Sequence, residues 1–485
     1  MTRGHLMPTS ETLPHARHYI DGQWQDSGSR GESRSPATNG LLGTFADGGA
    51  REARAAVAAA RRAFDSTAWS RDRHRRAAAL HELADRLEQR KDELITLLAR
   101  ENGKVLVEAA LEVEGTIPKL RYHAALTLTD HGRAGEVRPG MYSMTLREAA
   151  GVAAVIVPWN SPVILSARSF APALAAGCTV VMKMPAQTGL VNGVLSEIIA
   201  DTPSLDPGVF NVFTESGNTG APELVSSPDV DVISYTGSTA VGRVIMEQAA
   251  PTLKTLSMEL GGKTPMLVFD DADLDVVVPV LTKAVTMFAG QFCMTGSRIL
   301  VQSGVADELR RRLVAALETI RVGAGDDPAS EMGAMIDEGN AQRVEQTVAA
   351  AADYATVLVR GKRDRALLGP SLIEVADVSS PIVQREVFGP VATFEVFDSE
   401  ADAVARANAT EFGLAASIWT RDVDRPLRVG RELQAGTVWT NTWAMVHDQF
   451  EEGGFKQSGV GRLNGIRGIE EFQETKHLVH VAPQL

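Results

Sequence analysis

The stretch GVAAVIVPWNSPVILSARSFAPALAAGCTVVMKMP, residues 151–185, decides the fold. GVAAVIVP is a continuous apolar run without polar alternation, the pattern of a strand buried on both faces. SARSFAPALAAG has helical spacing, and CTVVMKMP (178–185) is a second buried-strand run. Two such strands joined by a helix form a parallel pair, because a parallel connection must cross over the sheet. Outward from this unit the alternation continues. VNGVLSEIIADTP reads as a helix, GVFNVFT (208–214) and DVDVISYTG (229–237) as strands, AVGRVIMEQAA as a helix and TPMLVFD (264–270) as a strand. The second half repeats the style with SRILVQ (297–302), the helix ADELRRRLVAALETI, VATFEVF (391–397) and LAASIWT (414–420). Strand–helix–strand units in series predict two α/β lobes with parallel sheets, changing role near residue 262. Two helices are expected over 51–101, where Ala and Leu recur at three- and four-residue spacing between charges.

At 485 residues the chain is long enough for two to four domains. Its 44% hydrophobic and 22% charged residues are those of a globular protein. Two cysteines cannot make a disulfide framework, which suits a reducing, cytoplasmic setting. The first twenty residues contain no apolar run of signal-peptide length, and no stretch is long and apolar enough to span a membrane. A net charge of −13 repels phosphate backbones and speaks against nucleic acid as a partner. The ten histidines show no metal-ligand spacing, and no metal is assigned.

One of the two cysteines, Cys293, lies in GQFCMTGSR (290–298), among small and polar residues that leave the sulfur approachable. The other, Cys178, opens a predicted buried strand and reads as a packing residue. YTGSTAVG (235–242) sets Gly237 and Ser238 at a strand end before a helix, where a pyrophosphate can approach backbone N–H groups, although Thr239 replaces one glycine of the usual pattern. VPWNSP (157–162) presents the Asn160 amide on rigid backbone at a strand end, as an oxyanion site requires. MELGGKTP (258–265) puts the carboxylate of Glu259, a possible general base, before paired glycines, and REVFGPV (385–391) carries Glu386 and Phe388 in a Gly-Pro turn. Each stretch alone has an ordinary structural reading: a capping asparagine, a solvated glutamate, a plain αβ connection.

Taken in order, VPWN, YTGSTxxG, MELGGK, GQxC, EVFGPV and GGFKQSGVGR resemble the aldehyde dehydrogenase superfamily, from HYIDGQW (18–24) almost to the C-terminus. The resemblance implies that Cys293 is the nucleophile, Asn160 the oxyanion donor and Glu259 the general base. It places Trp159, Lys183, Ala186, Gly237, Ser238, Glu386 and Phe388 around NAD or NADP, and a small-molecule aldehyde as the partner at the sulfur. It implies a Rossmann-like parallel-sheet cofactor domain over 1–130 and 150–261 and an α/β catalytic domain over 262–457. A small β oligomerisation element of 131–149 and 458–485 completes the expected fold. The alternating tail KHLVHVAP suggests a docking edge strand, hence a homodimer or homotetramer. A silent structural member of the family, or an esterase without redox turnover, are the other functional classes considered. The surviving Cys293, Glu259 and Asn160 speak against the first, and the retained EVFGPV and YTGSTAVG against the second.

Three departures from the family pattern bear on specificity. Ala186 stands where NAD-preferring relatives carry a ribose-binding glutamate, so NADP is tolerated or preferred. Glu451 and Glu452 replace the Pro-Phe that usually precedes GGxKxSG, near Trp443 and His447 on the substrate side. Arg168 stands where many relatives have Trp and where succinate-semialdehyde enzymes carry a carboxylate-gripping arginine, whose second arginine would fall at Met287. Arg168 can hold a substrate carboxylate; Glu452 and Trp443 can hold a cation; or Arg168 and Glu452 can pair, leaving an aromatic pocket lined by Phe292 and Trp443. The sequence leaves these three readings open.

Overall fold

The structure is a computed structural model that describes residues 13–129 and 132–482. Its first lobe is built on an eight-stranded sheet. Five central strands run parallel in the spatial order Thr255–Glu259, Val232–Thr236, Val152–Ile156, Thr179–Pro185, Phe210–Glu215. The antiparallel pieces Gly459–Val460 at one edge and His18–Ile20 with Gln23–Gln25 at the other complete it. The chain lays the strands from Val152, Thr179 and Phe210 outward in one direction, then returns to the other side of Val152–Ile156 for the rest. This reversal creates a crevice at the carboxyl ends of the two strands that flank it. Val152, Ala153, Ala154 and Val155 are all fully buried, as a strand covered on both faces demands.

The second lobe holds a seven-stranded sheet in the order Thr356–Val359, Ser371–Glu374, Val391–Phe397, Arg298–Gln302, Pro265–Val268, Ala415–Trp419, Thr437–Thr440, parallel except for its first pair. The α/β class with parallel sheets is thus observed. A third sheet joins Ala134–Arg138, Met141–Ala149 and Gln473–Val481, the last two paired antiparallel over nine residues.

Two expectations differ from the structure. The segment 51–101 forms three helices, Ala50–Ser66, Arg73–Gln89 and Lys91–Asn102. The break falls at Arg90, which leaves helical geometry (φ −108°, ψ 12°) while its guanidinium binds Glu93 and Glu197. Residues 458–485 do not all join the third sheet: Gly459–Val460 pairs with the edge of the first sheet, and Leu463, Ile469 and Phe472 pack into that lobe's core. Their apolar side chains have a larger buried surface available there than on a three-stranded ribbon.

Inside the second sheet, Arg298 and Glu395 lie on neighbouring strands at 0% and 1% side-chain exposure and form a bidentate pair at 2.9 and 2.7 Å. The Arg54–Glu223 pair, at 62% and 37%, is a solvated contrast. Removing one partner of a buried pair strands the other charge, whereas an exposed pair is screened. Glu395→Ala is therefore expected to lower stability by about 3–5 kcal/mol, and Glu223→Ala by less than about 1 kcal/mol, in urea denaturation followed by tryptophan fluorescence.

Candidate active site

The crevice at the strand reversal is a cleft of about 590 Å³ whose lining includes Trp159, Lys183, Gln187, Glu215, Gly237 and Ser238. Ala186 lies beside it, with its neighbour Gln187 in the lining instead. Gly237 is required by crowding: a Cβ would fall 2.2 Å from the Tyr235 hydroxyl. Ser238 caps the helix Thr239–Ala249 by accepting from the Val241 N–H at 3.4 Å. Thr239, the departure from the glycine pattern, has a tethering task. Its hydroxyl donates to the Gln457 carbonyl at 3.1 Å and accepts from the Gly261 N–H at 3.3 Å, tying three motif loops together. Burial lowers the pKa of Lys183, with Glu215 and Asp47 opposing that shift. Glu215 itself accepts from the N–H groups of Thr219 and Gly220, both at 2.6 Å, so its carboxylate is committed to its own loop.

Four stretches far apart in sequence meet at Cys293. The Asn160 Nδ2 donates to the Gln291 carbonyl at 3.1 Å, joining VPWN to the cysteine loop. Gly262 lets the Cys293 carbonyl oxygen approach: a Cβ there would stand 2.3 Å from it. The Gly262 N–H donates to Glu386 Oε1 at 3.1 Å, and a Cβ on Gly261 would lie 2.6 Å from Glu386 Oε2. Gly290 (φ +68°) packs on the Gly389–Pro390 peptide, where a Cβ would sit 2.1 Å from the Gly389 carbonyl oxygen. Phe388, itself left-handed at φ 52°, meets Trp159 edge-on at 5.6 Å. The two residues Phe288 and Ala289 are also left-handed, both at φ 53°, a strained entry to the cysteine loop.

Burial dominates the electrostatics. It pushes the half-buried Cys293 thiol up to about 12, with Arg168 lowering it and Glu452, Glu259 and Glu386 adding to the rise. It raises Glu259 to about 8, where Arg168 opposes and Glu452 reinforces the shift. Glu386 rises to about 7 for the same reason, against the Gly262 N–H and nearby Lys263 and Arg343. Burial thus favours the neutral form of all three acids. Cys178, by contrast, is fully buried in the first lobe's core, its thiol donating to the Phe472 carbonyl at 3.3 Å, as its packing role requires.

Of the contacts weighed for Arg168 and Glu452, their mutual pairing is the one present. Arg168 Nη1 donates to Glu452 Oε1 at 2.8 Å and Nη2 to the Thr236 hydroxyl at 2.9 Å, with Arg168 3% and Glu452 7% exposed. Glu452 Oε2 accepts from Asn464 Nδ2 at 3.0 Å. Breaking such a pair by removing one partner typically costs about 3–5 kcal/mol. Phe292 stands between Phe288 and Trp443 with edge-on contacts at 5.6 and 6.0 Å, and Trp443 Nε1 donates to the Met294 carbonyl at 2.8 Å. His447 is exposed and belongs to an outer cleft of about 530 Å³ that Glu452 also lines.

Sequence reading missed the residues that hold these loops from behind. Lys104, 2% exposed, pairs with Glu112 and donates to the Asn160 carbonyl at 2.8 Å. Glu112 in turn accepts from the Val163 N–H at 2.8 Å, and Asn102 Nδ2 donates to the Trp159 carbonyl at 2.7 Å. The available signal was a Lys and a Glu at facing positions around the start of the helix Leu106–Thr129, which looks like an ordinary solvated pair. Gln291 was quoted within its motif without a role; its amide donates to the Phe288 carbonyl at 3.0 Å and accepts from the Ile336 N–H at 2.9 Å, fixing the cysteine loop.

Comparison with known proteins agrees with this geometry. Residues 24–478 match the aldehyde dehydrogenase family. Betaine aldehyde dehydrogenase of Bacillus subtilis (strain 168) is 36% identical over 473 residues, covering 95% of this chain and 96% of the relative. The NADP+ succinate-semialdehyde dehydrogenase of Escherichia coli (strain K12) is 36% identical over the same length and coverage. The crystal structure of betaine aldehyde dehydrogenase from Staphylococcus aureus in complex with NAD+ superposes with a TM-score of 0.94 at 34% identity, covering 97% of this chain and 96% of the other. The chain belongs to the aldehyde dehydrogenase family and is an oxidoreductase of that class.

Proposed function

We propose that the chain oxidises an aldehyde to a carboxylic acid with NAD or NADP, through a thiohemiacetal and then a thioester on Cys293. The observation that supports this most directly is the meeting of Asn160, Glu259, Glu386 and Cys293 through the bond from Asn160 to Gln291 and the Gly261–Gly262 contacts. The reversal crevice fits a dinucleotide: Lys183 offers a cation, the Ser238-capped helix its N-terminus, and Trp159, Glu386 and Phe388 the end nearest Cys293. Bound there, the nicotinamide supplies the hydride acceptor.

The chain's own residues account for the remaining steps. Glu259 in its ionised form takes the thiol proton, directly or through water, and the thiolate attacks the carbonyl carbon. One N–H of the Asn160 amide is engaged by Gln291; the other, with the Cys293 backbone N–H, faces the developing oxyanion, where one such donor is worth about 3–4 kcal/mol. After hydride departure Glu259, having lost the first proton to solvent, takes a proton from water as the resulting hydroxide attacks the thioester; the acid leaves and Glu259 returns that proton to the sulfur. The same reading keeps the three-part domain division, with 1–130 and 150–261 serving the cofactor and 262–457 the chemistry. It includes a homodimer or homotetramer assembled through the exposed edge of Gln473–Val481, and a reducing cytoplasmic setting in which Cys178 and Cys293 stay unpaired.

Cys293→Ser is expected to lose at least a thousandfold in aldehyde-dependent NAD(P)H formation; parental rates would overturn the proposal. Because burial raises Glu259 to about 8, its base form is the minority below that pH and the majority above it. The kcat/KM should climb from pH 6 to pH 9, and Glu259→Gln should flatten that rise while lowering the plateau. For the cofactor, parental kcat/KM with NADP is expected within tenfold of that with NAD or above it. Ala186→Glu should depress the NADP value at least tenfold by returning an anion next to the crevice; a hundredfold parental preference for NAD refutes this part.

A further inference from the structure

We propose that the buried Arg168–Glu452 pair is a charge filter, so that the pocket accepts uncharged aromatic or apolar aldehydes and rejects those bearing a carboxylate or a quaternary ammonium. This inference rests on the aldehyde-oxidising reading above and names its substrate class.

The placement comes from the sheet. Arg168 bonds to the hydroxyl of Thr236, and Thr236 is the register partner of Glu259 on the adjacent strand. The pair therefore stands one strand from the general base, and both of its ions act electrostatically on Glu259 and on Cys293. Both ions are engaged, although the buried Arg168 Nε–H has no partner among the described residues. Arg168 holds Glu452 and Thr236, and Glu452 holds Arg168 and Asn464, whose own side-chain oxygen accepts from Lys119 at 2.8 Å.

A substrate carboxylate could take the Nη1 position of Arg168 only by displacing Glu452, leaving that carboxylate buried beside a second anion. A substrate cation drawn toward Glu452 would meet the Arg168 guanidinium at the same place, and the Trp443 indole alone would have to hold it. Packed in one cluster with the sulfur are Phe292 and Trp443, with Phe288 edge-on to Phe292, and this aromatic group is the surface the proposal assigns to the substrate. Apolar or aromatic aldehydes gain from that group and ask nothing of the pair. An isolated arginine here would select for anions, and an isolated glutamate for cations; together they select against both.

The test compares benzaldehyde, succinate semialdehyde and betaine aldehyde by kcat/KM with NAD and NADP. The parent is expected to favour benzaldehyde at least tenfold over either charged aldehyde. Glu452→Gln keeps an acceptor but releases the guanidinium from its counter-ion, and should raise the succinate semialdehyde to benzaldehyde ratio at least tenfold. Arg168→Met should raise the betaine aldehyde to benzaldehyde ratio instead. A parent that oxidises a charged aldehyde as well as benzaldehyde overturns the filter, and this arm decides even if a variant fails to fold. Folded variants with alkylatable Cys293 and unchanged ratios overturn it as well. Absence of NAD(P)H formation with all three aldehydes, while Cys293 still alkylates, overturns the aldehyde-oxidising reading and the filter with it.

Discussion

Two missing side chains, at Gly261 and Gly262, let the rest of the site exist. The first lobe ends its central strands in a rigid row, and the last of these carries Glu259. Immediately beyond it the chain must pass within contact of both the cysteine loop and Glu386. A Cβ at Gly262 would fall 2.3 Å from the Cys293 backbone carbonyl, which cannot yield, and one at Gly261 would displace the Glu386 carboxyl 2.6 Å away. The GG turn therefore works as a seam between lobes, and Gly290 makes a similar close approach against Gly389. Stretches as far apart as Asn160 and Glu386 hold their spacing in part because backbone touches backbone at Gly262 and Gly290.

Around that seam, the molecule treats its buried charges in two distinct ways. Those that support structure are satisfied completely: Arg298 with Glu395, and Lys104 with Glu112 behind the Asn160 loop. Those near the sulfur are left with burial unopposed or only partly opposed, and Glu259, Glu386 and Cys293 all drift toward their neutral forms. A fully paired carboxylate would be inert as a base near neutrality, whereas one raised by desolvation can both take and return a proton. Arg168 and Glu452 lie between these regimes, structural in their bonding and electrostatic in their reach.

The α/β class was legible because runs such as GVAAVIVP and CTVVMKMP are apolar on both faces and leave no other use for the chain. The residues proposed as nucleophile, base and oxyanion donor stood out for a different reason: each motif alone had an ordinary reading, and only six of them in one order pointed to the family. What could not be read was anything set by side-chain direction. The break at Arg90 depends on two carboxylates, one of them more than a hundred residues away. Whether Arg168 grips a substrate or Glu452 depends on a contact spanning 284 positions. The Lys104–Glu112 strut resembles a surface pair in sequence because burial, and not residue type, makes it structural. Ala186 was placed by its distance from Lys183, and a turn of backbone brought Gln187 into the crevice lining instead.

A resting sulfur whose proton is held to about 12 has a consequence for the survival of the protein itself. Peroxides and electrophilic metabolites attack the anion of a cysteine and largely ignore its protonated form. With base and thiol both neutral, the idle molecule offers such agents a poor target at physiological pH. On the reading of Cys293 as the nucleophile, the desolvation that favours its protonated form also shelters the sulfur between turnovers.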